Sequence, residues 1–207
     1  MSESGRLPAP IARRRAIALA GHHGDEAAAR EGLVDDDPSV RATALGALTR
    51  LGVLTDDDLA VAVADRDPIV RGRAAEVTPS AVPAPSAHRL LRTLLADRDP
   101  AVVEVAAWAC GEVDESNAEV TAELCALATG HTDALVREAA VAALGAIGDD
   151  AALPAILAAT TDKPAIRRRA VLALAPFEGP KVEEALTRAL TDRDWQVRQA
   201  AEDLLDS

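Results

Sequence analysis

The chain of 207 residues carries 34 acidic against 22 basic side chains, a formal charge of −12, and 49% apolar residues that include no Tyr, one Phe and two Trp. That charge repels nucleic-acid phosphates and anionic membranes, so neither is an expected partner. No apolar run approaches the roughly 20 residues of a membrane span, and the opening MSESGRLPAP lacks the basic-then-apolar order of a signal peptide, which predicts a cytoplasmic chain.

Residues 1–7 are expected to be a short disordered N-terminus, followed by an Ala-rich helical stretch from Pro10 to Ala20. One phrase then keeps returning, most clearly as DRDPIVRGRAAEV at Asp65, DRDPAVVEVAAWAC at Asp97 and DRDWQVRQAAEDLL at Asp192. Aligned on the residue two places after the Pro position, the copies fall at Ala12, Val40, Val70, Val102, Val136, Ile166 and Val197, at intervals of 28 to 34 residues. That period fits one helix pair with two turns, and self-similarity of this kind means stacked units that cannot bury their apolar faces alone. The whole chain, 1–207, is therefore one elongated domain. Few stretches alternate β-branched and aromatic residues, so strands are not expected.

Each phrase contains its own start and stop signals. The Asp before Pro (Asp37, Asp67, Asp99) can accept from the free amides of the next turn, and Pro loses nothing there by lacking an N–H. Helices are thus predicted to begin at Pro10, Pro38, Pro68, Pro100, Ala134, Pro164 and Trp195. Each presents an apolar stripe, such as Val136, Ala140, Val141 and Leu144, and ends near Gly or Pro, as at Gly52, Gly111, Gly148 and Pro176. A second amphipathic stretch precedes each phrase: Asp57 to Ala64, Ser86 to Ala96, Ser116 to Thr129, Ala151 to Thr160 and Lys181 to Thr191. The stretch TPSAVPAPS, Thr78 to Ser86, is rich enough in Pro to predict an irregular loop and a bend. In the last copy the fifth residue after the Val is Glu202 where inner copies have Leu45, Ala75, Ala107, Val141 and Val171, as suits a helix with no following unit to cover.

With its leucine-bearing helix, D-x-D-P-x-V-R and Ala-rich helix ending in Leu-Gly, the chain resembles the HEAT-repeat superfamily over nearly its whole length, in particular the bacterial phycobilisome-lyase-type HEAT-like repeat. The expected fold is all-α, a right-handed α-solenoid (superhelix) of about six to seven HEAT-like helix pairs. The scarcity of lysine, confined to Lys163 and Lys181, suggests a GC-rich bacterial source.

The residue after the Val is Arg in most copies: Arg41, Arg71, Arg137, Arg167 and Arg198. It lies near the middle of the apolar arc and therefore points toward the packed side. A cation near a helix N-terminus also opposes the macrodipole, so a carboxylate must compensate. We expect a structural ladder pairing these arginines with Asp35, Asp65, Asp97, Asp133 and Asp192. Val103 replaces Arg in one copy, leaving one rung missing.

In HEAT-like proteins the second helix of each pair lines the concave surface. The resemblance places there a row six residues after each Val (Gly46, Glu76, Trp108, Ala142, Leu172, Asp203) flanked by Ala42, Gly72, Glu104, Glu138, Arg168 and Gln199. Most of this row is small. Trp108 stands out either as an interface anchor or as a side chain folded onto a neighbouring helix, and the candidate partner-binding residues are Trp108, Glu104, Glu138, Arg168 and Leu172. Trp195 reads as a surface packing residue.

Catalytic signals are weak. Cys110 and Cys125 read as small buried hydrophobes without a disulfide. None of His22, His23, His88 or His131 precedes a Glu, so the His-Glu iron pairs of the superfamily's deoxyhypusine hydroxylases are absent, and His22 and His23 read as a polar loop. With no phosphate loop or nucleophile elbow, no cofactor or metal is assigned. The expected function is a noncatalytic adaptor or scaffold binding another protein in the concave groove. The alternatives are an accessory subunit or chaperone of a lyase-type enzyme, and an enzyme acting on nucleic acid, which the acidic charge disfavours.

Overall fold

The computed structural model describes residues 9–206, so the expectation for residues 1–7 lies outside it. Among the described residues every regular element is helical, and thirteen α-helices follow one another. These are α1 (Pro10–His23), α2 (Glu26–Glu31), α3 (Pro38–Leu51), α4 (Asp56–Ala62), α5 (Pro68–Ala81), α6 (Ala84–Leu95), α7 (Pro100–Cys110), α8 (Ala118–Gly130), α9 (Ala134–Ile147), α10 (Leu153–Ala159), α11 (Pro164–Ala173), α12 (Pro180–Ala189) and α13 (Trp195–Leu205). Short 3-10 turns extend α2 through Gly32–Val34 and precede α10 at Asp150–Ala152. The result is an α-solenoid in which α1, a lone phrase helix, is followed by six hairpins, α2/α3 to α12/α13.

The phrase helices start where an Asp side chain caps them. Asp37, Asp67, Asp99, Asp133 and Asp194 each accept the backbone N–H two residues on, at 2.8–3.0 Å. Several stop at a left-handed Gly: Gly52 has φ 71° and its N–H returns to the carbonyls of Leu48 and Thr49. Two expectations fail at the local level. His22 and His23 form the last turn of α1 and not a loop. The predicted irregular loop at 78–86 is instead helical on both sides, with α5 running through Pro79 to Ala81 and α6 opening at Ala84. Pro79 lies in the final turn, where only one carbonyl loses its partner. Pro83 and Pro85 lie at the cap and first turn of α6, where a missing N–H costs little.

Successive phrase helices, α1, α3, α5, α7, α9, α11 and α13, pack on one another along the whole array, whereas the intervening first helices touch their counterparts far less. The phrase helices therefore form the tighter, inner row. Small residues allow this closeness: a Cβ added at Gly145 of α9 would lie 2.6 Å from the Ala173 backbone of α11, and one at Gly111 would lie 3.0 Å from that of Ala143. The core is Ala, Leu and Val in two clusters that meet along α5 and α6, where Ala74 and Leu90 belong to the first and Ala75 and Leu91 to the second. Phe177 is buried at its C-terminal end.

Ion pairs run beside this core from unit to unit. Arg13 grips Asp35, Arg41 grips Asp65, Arg71 grips Asp97, Arg137 grips Asp162 and Arg167 grips Asp192, each through Nε and Nη2 at 2.6–3.0 Å. Nη1 of Arg41, Arg71, Arg137 and Arg167 donates to a carbonyl of the turn preceding its own helix, at 2.8–2.9 Å. Each of these four guanidiniums thus ties its own turn to the next one, and Arg41, Arg71 and Arg167 are buried. The Asp accepts a backbone N–H as well, as Asp65 does from Asp67 at 2.8 Å.

Two ladder expectations require correction. Asp133 is the cap of α9 and holds Leu135 N–H; the partner of Arg137 is Asp162, whose turn is one residue shorter than the D-x-D-P form. Arg198 donates to the Asp192 carbonyl at 2.7 Å and makes no ion pair among the described residues, because no later described turn offers it a carboxylate. The missing rung is missing on both sides. Opposite Val103 the carboxylate position holds His131, whose Nδ1 accepts the Asp133 N–H at 3.1 Å as the aspartates do elsewhere.

Carboxylate acidity follows from these bonds. The guanidinium on each holds Asp35, Asp97, Asp162 and Asp192 below the usual range. At Asp65 burial pushes upward, but the bonds from Arg41 and the Asp67 N–H together outweigh it, so this carboxyl is lowered too.

Candidate partner-binding cleft

On the inner row the residues one before the Val, and two, three and six after it, share one face, since they lie three or four apart. On α7 these are Ala101, Glu104, Val105 and Trp108; on α9, Leu135, Glu138, Ala139 and Ala142; on α11, Ala165, Arg168, Arg169 and Leu172. A cleft of about 310 Å³ opens on this face between α7 and α9, lined by Glu104, Val105, Trp108, Leu135, Glu138, Ala139, Ala142 and Arg169. It exists because Ala142 occupies the position on α9 that Trp108 occupies on α7, leaving the indole without a bulky neighbour. Trp108 is 47% exposed and Leu135 56%.

Three of the five residues singled out in the sequence, Trp108, Glu104 and Glu138, line this cleft. Arg168 is exposed beyond it and Leu172 packs against the core. Arg169, one residue on, provides the edge instead, and its Nη2 stands 3.8 Å from Glu138 Oε1. Ala142 belongs to the row six after the Val, whereas Val105, Leu135 and Ala139 lie outside the sequence reading, though the same three-and-four spacing carried to the residues before and three after the Val reaches them. Among the described residues Glu104 makes no ion pair, whereas Glu76, its inner-face neighbour on α5, is held by Arg73 at 2.8 Å. Trp195, at the first position of α13, is 63% exposed and lies far along the array.

The rest of the surface is quieter. On the outer row Arg30 joins Glu26, Asp58 and the Val53 carbonyl, and Arg92 joins Glu119 and Glu123. Both thiols are free: Cys110 is buried and burial pushes its thiol up to about 12, while Cys125 is only half-buried, a departure from the buried position expected for it. Among the described residues no helix is long and apolar enough to cross a membrane, and no three His, Cys, Asp or Glu side chains group to hold a metal ion.

Stacked hairpins with a close-packed inner row and an open inner cleft define a helical-repeat solenoid. The chain belongs to the HEAT-repeat family, whose model, described as HEAT repeats, matches residues 90–175 and 121–206. No curated protein matches it in sequence. In fold it is similar to YibA of Escherichia coli (16% identity, TM-score 0.66, covering 99% of this chain and 77% of that one) and to an engineered protein (21%, 0.62, covering 88% and 97%). It is also similar to a designed armadillo repeat protein in complex with the peptide (KR)4 (19%, TM-score 0.51, covering 93% and 85%).

Proposed function

We propose that the protein is a noncatalytic adaptor that binds a partner protein on the inner face, with Trp108 as the anchor and Glu104 and Glu138 beside it. The observation that carries this reading is the half-exposed indole over a cleft floored by alanines. An aromatic side chain that the array does not need for its own packing has area to give to a partner, and Trp is enriched among residues that dominate binding energy. Arg168 and Leu172 extend the same face toward α13 and are the second line of contact. A repeat protein of similar fold, the designed armadillo protein, is in complex with a peptide, which supports an extended segment as the bound element. The short unit and its D-x-D-P-x-V-R phrase support the phycobilisome-lyase-type assignment within the HEAT family, and a cytoplasmic location goes with it.

Affinity capture from a lysate of the host, with wild-type and Trp108→Ala baits, tests the proposal. A protein that resists moderate salt and is lost with the variant is the expected result. Recovery of nucleic acid, or of the same proteins by both baits, contradicts it. An enzyme as the captured partner assigns the accessory-subunit role, using the same face.

A further inference from the structure

The inner face carries two ion pairs with a gap between them. On α5, Arg73 and Glu76 neutralise each other at 2.8 Å. Between α9 and α11, Glu138 and Arg169 face each other loosely at 3.8 Å. Between these, on α7, Glu104 is half-buried and, among the described residues, makes no ion pair: the residue on α9 that corresponds to Arg169 on α11, the partner of Glu138, is Ala139. One turn further along the same helix face stands the exposed indole of Trp108, and i,i+4 side chains on a helix are neighbours. The array thus omits a cation where it places an aromatic face and a carboxylate together. A half-buried carboxylate without a counterion is electrostatically costly, and an indole face attracts a cation within about 6 Å of its centroid.

We propose that the partner supplies this cation: a Lys or Arg side chain on an extended protein segment, stacked on Trp108 and paired with Glu104. Glu138 is the second carboxylate within the same cleft, and its loose contact with Arg169 leaves it open to exchange partners. Leu135 and Val105 receive the apolar stem of the incoming side chain. Arg168 and Arg169 close the far end to further cations, so the basic residue is confined to the α7–α9 gap. This inference rests on the partner-binding reading of the cleft and adds the chemistry that the cleft selects.

The test follows Trp108 emission in a full-length Trp195→Phe protein titrated with the octapeptides (Arg-Ser)4, (Lys-Ser)4, (Gln-Ser)4 and (Glu-Ser)4. The two basic peptides should change the emission saturably and the other two should not. Glu104→Gln should weaken the basic peptides about tenfold, which corresponds to ~1.4 kcal/mol. The control is Asp114→Asn with Glu115→Gln, in the exposed turn after α7, which removes more net charge yet should leave affinity within about twofold. Equal response to the acidic or neutral peptide, absence of any saturable response, or a loss in Glu104→Gln no greater than in the control overturns the inference. A captured partner that needs Trp108 but is indifferent to Glu104→Gln leaves the adaptor reading standing and removes this one.

Discussion

Arg71 on α5 and Asp97 in the turn before α7 belong to different units, yet they are joined by two parallel bonds of 2.6 and 2.8 Å with both side chains only 7% exposed. The same guanidinium also holds the Asp65 carbonyl of its own unit at 2.9 Å. The recurrent Arg is therefore a spacer that sets one hairpin against the next, and the cleft lies at the α7–α9 junction, where Val103 and His131 replace that rung.

Removing one partner of this rung should cost more than the rung itself contributes, since a buried carboxylate is left without its counterion. Arg71→Ala is expected to destabilise by about 2–3 kcal/mol, and Arg71→Met combined with Asp97→Leu by less than the single change. Urea midpoints of the three proteins decide it. An Arg71→Ala midpoint equal to that of the wild type contradicts the ladder.

At Val103 and His131 the array replaces an ion pair on both sides with neutral residues. Val103→Arg alone should place a guanidinium in a buried site with no carboxylate, and His131→Asp alone should place a carboxylate with no guanidinium. Together they should rebuild a rung, with a favourable coupling of about 1–3 kcal/mol in a double-mutant cycle. Additive losses would show that the fourth and fifth units are spaced differently from the others.

Glycine acts on the inner row through space as well as through backbone angle. Gly145→Ala would force a methyl to within 2.6 Å of the Ala173 backbone, and Gly46, in the same row on α3, has no atom within 4 Å of its added Cβ. The first change should cost about 1–3 kcal/mol through overpacking. The second should stabilise by roughly 0.5–1 kcal/mol, the ordinary gain of Ala over Gly in a helix. Thermal midpoints moving in the same direction would contradict the close approach of α9 and α11.

The ladder carboxylates make stability acid-sensitive in a defined window. Asp35, Asp65, Asp97, Asp162 and Asp192 all titrate lower folded than free, so their contribution is present in full above the ordinary value of about 3.9 and is lost as pH falls through the lowered folded values. Stability should be flat from about pH 8 to 5 and decline below about pH 4, more shallowly in Asp97→Asn. A main loss between pH 5 and 7, where histidines titrate, would point to groups outside the ladder.

Repetition made the architecture legible. An Asp-Pro pair at Asp67 and Pro68 writes a helix start locally, and the inward angle of Arg71 follows from its place in the apolar arc. The failures are equally physical. The D-x-D-P pattern does not reach Asp162, whose turn is a residue shorter, and it marks Asp133 as a rung although capping already uses that carboxylate. Pro79 reads as a breaker in sequence, but its effect depends on how close the helix end lies, which tertiary packing decides. In the cleft, Trp108 was conspicuous by size, whereas Ala142 matters for what it lacks. Arg168 and Arg169 differ by one step around the helix, enough to bring Arg169 alone to the cleft.

Trp108 faces an open cleft, and on the adaptor reading a partner covers it. Iodide quenching of the Trp195→Phe protein, alone and with its captured partner, measures this directly. The account predicts a red-shifted, readily quenched indole in the free protein that becomes blue-shifted and protected on binding. An indole already protected in the free chain, or one whose quenching does not change when the partner is bound, would contradict it.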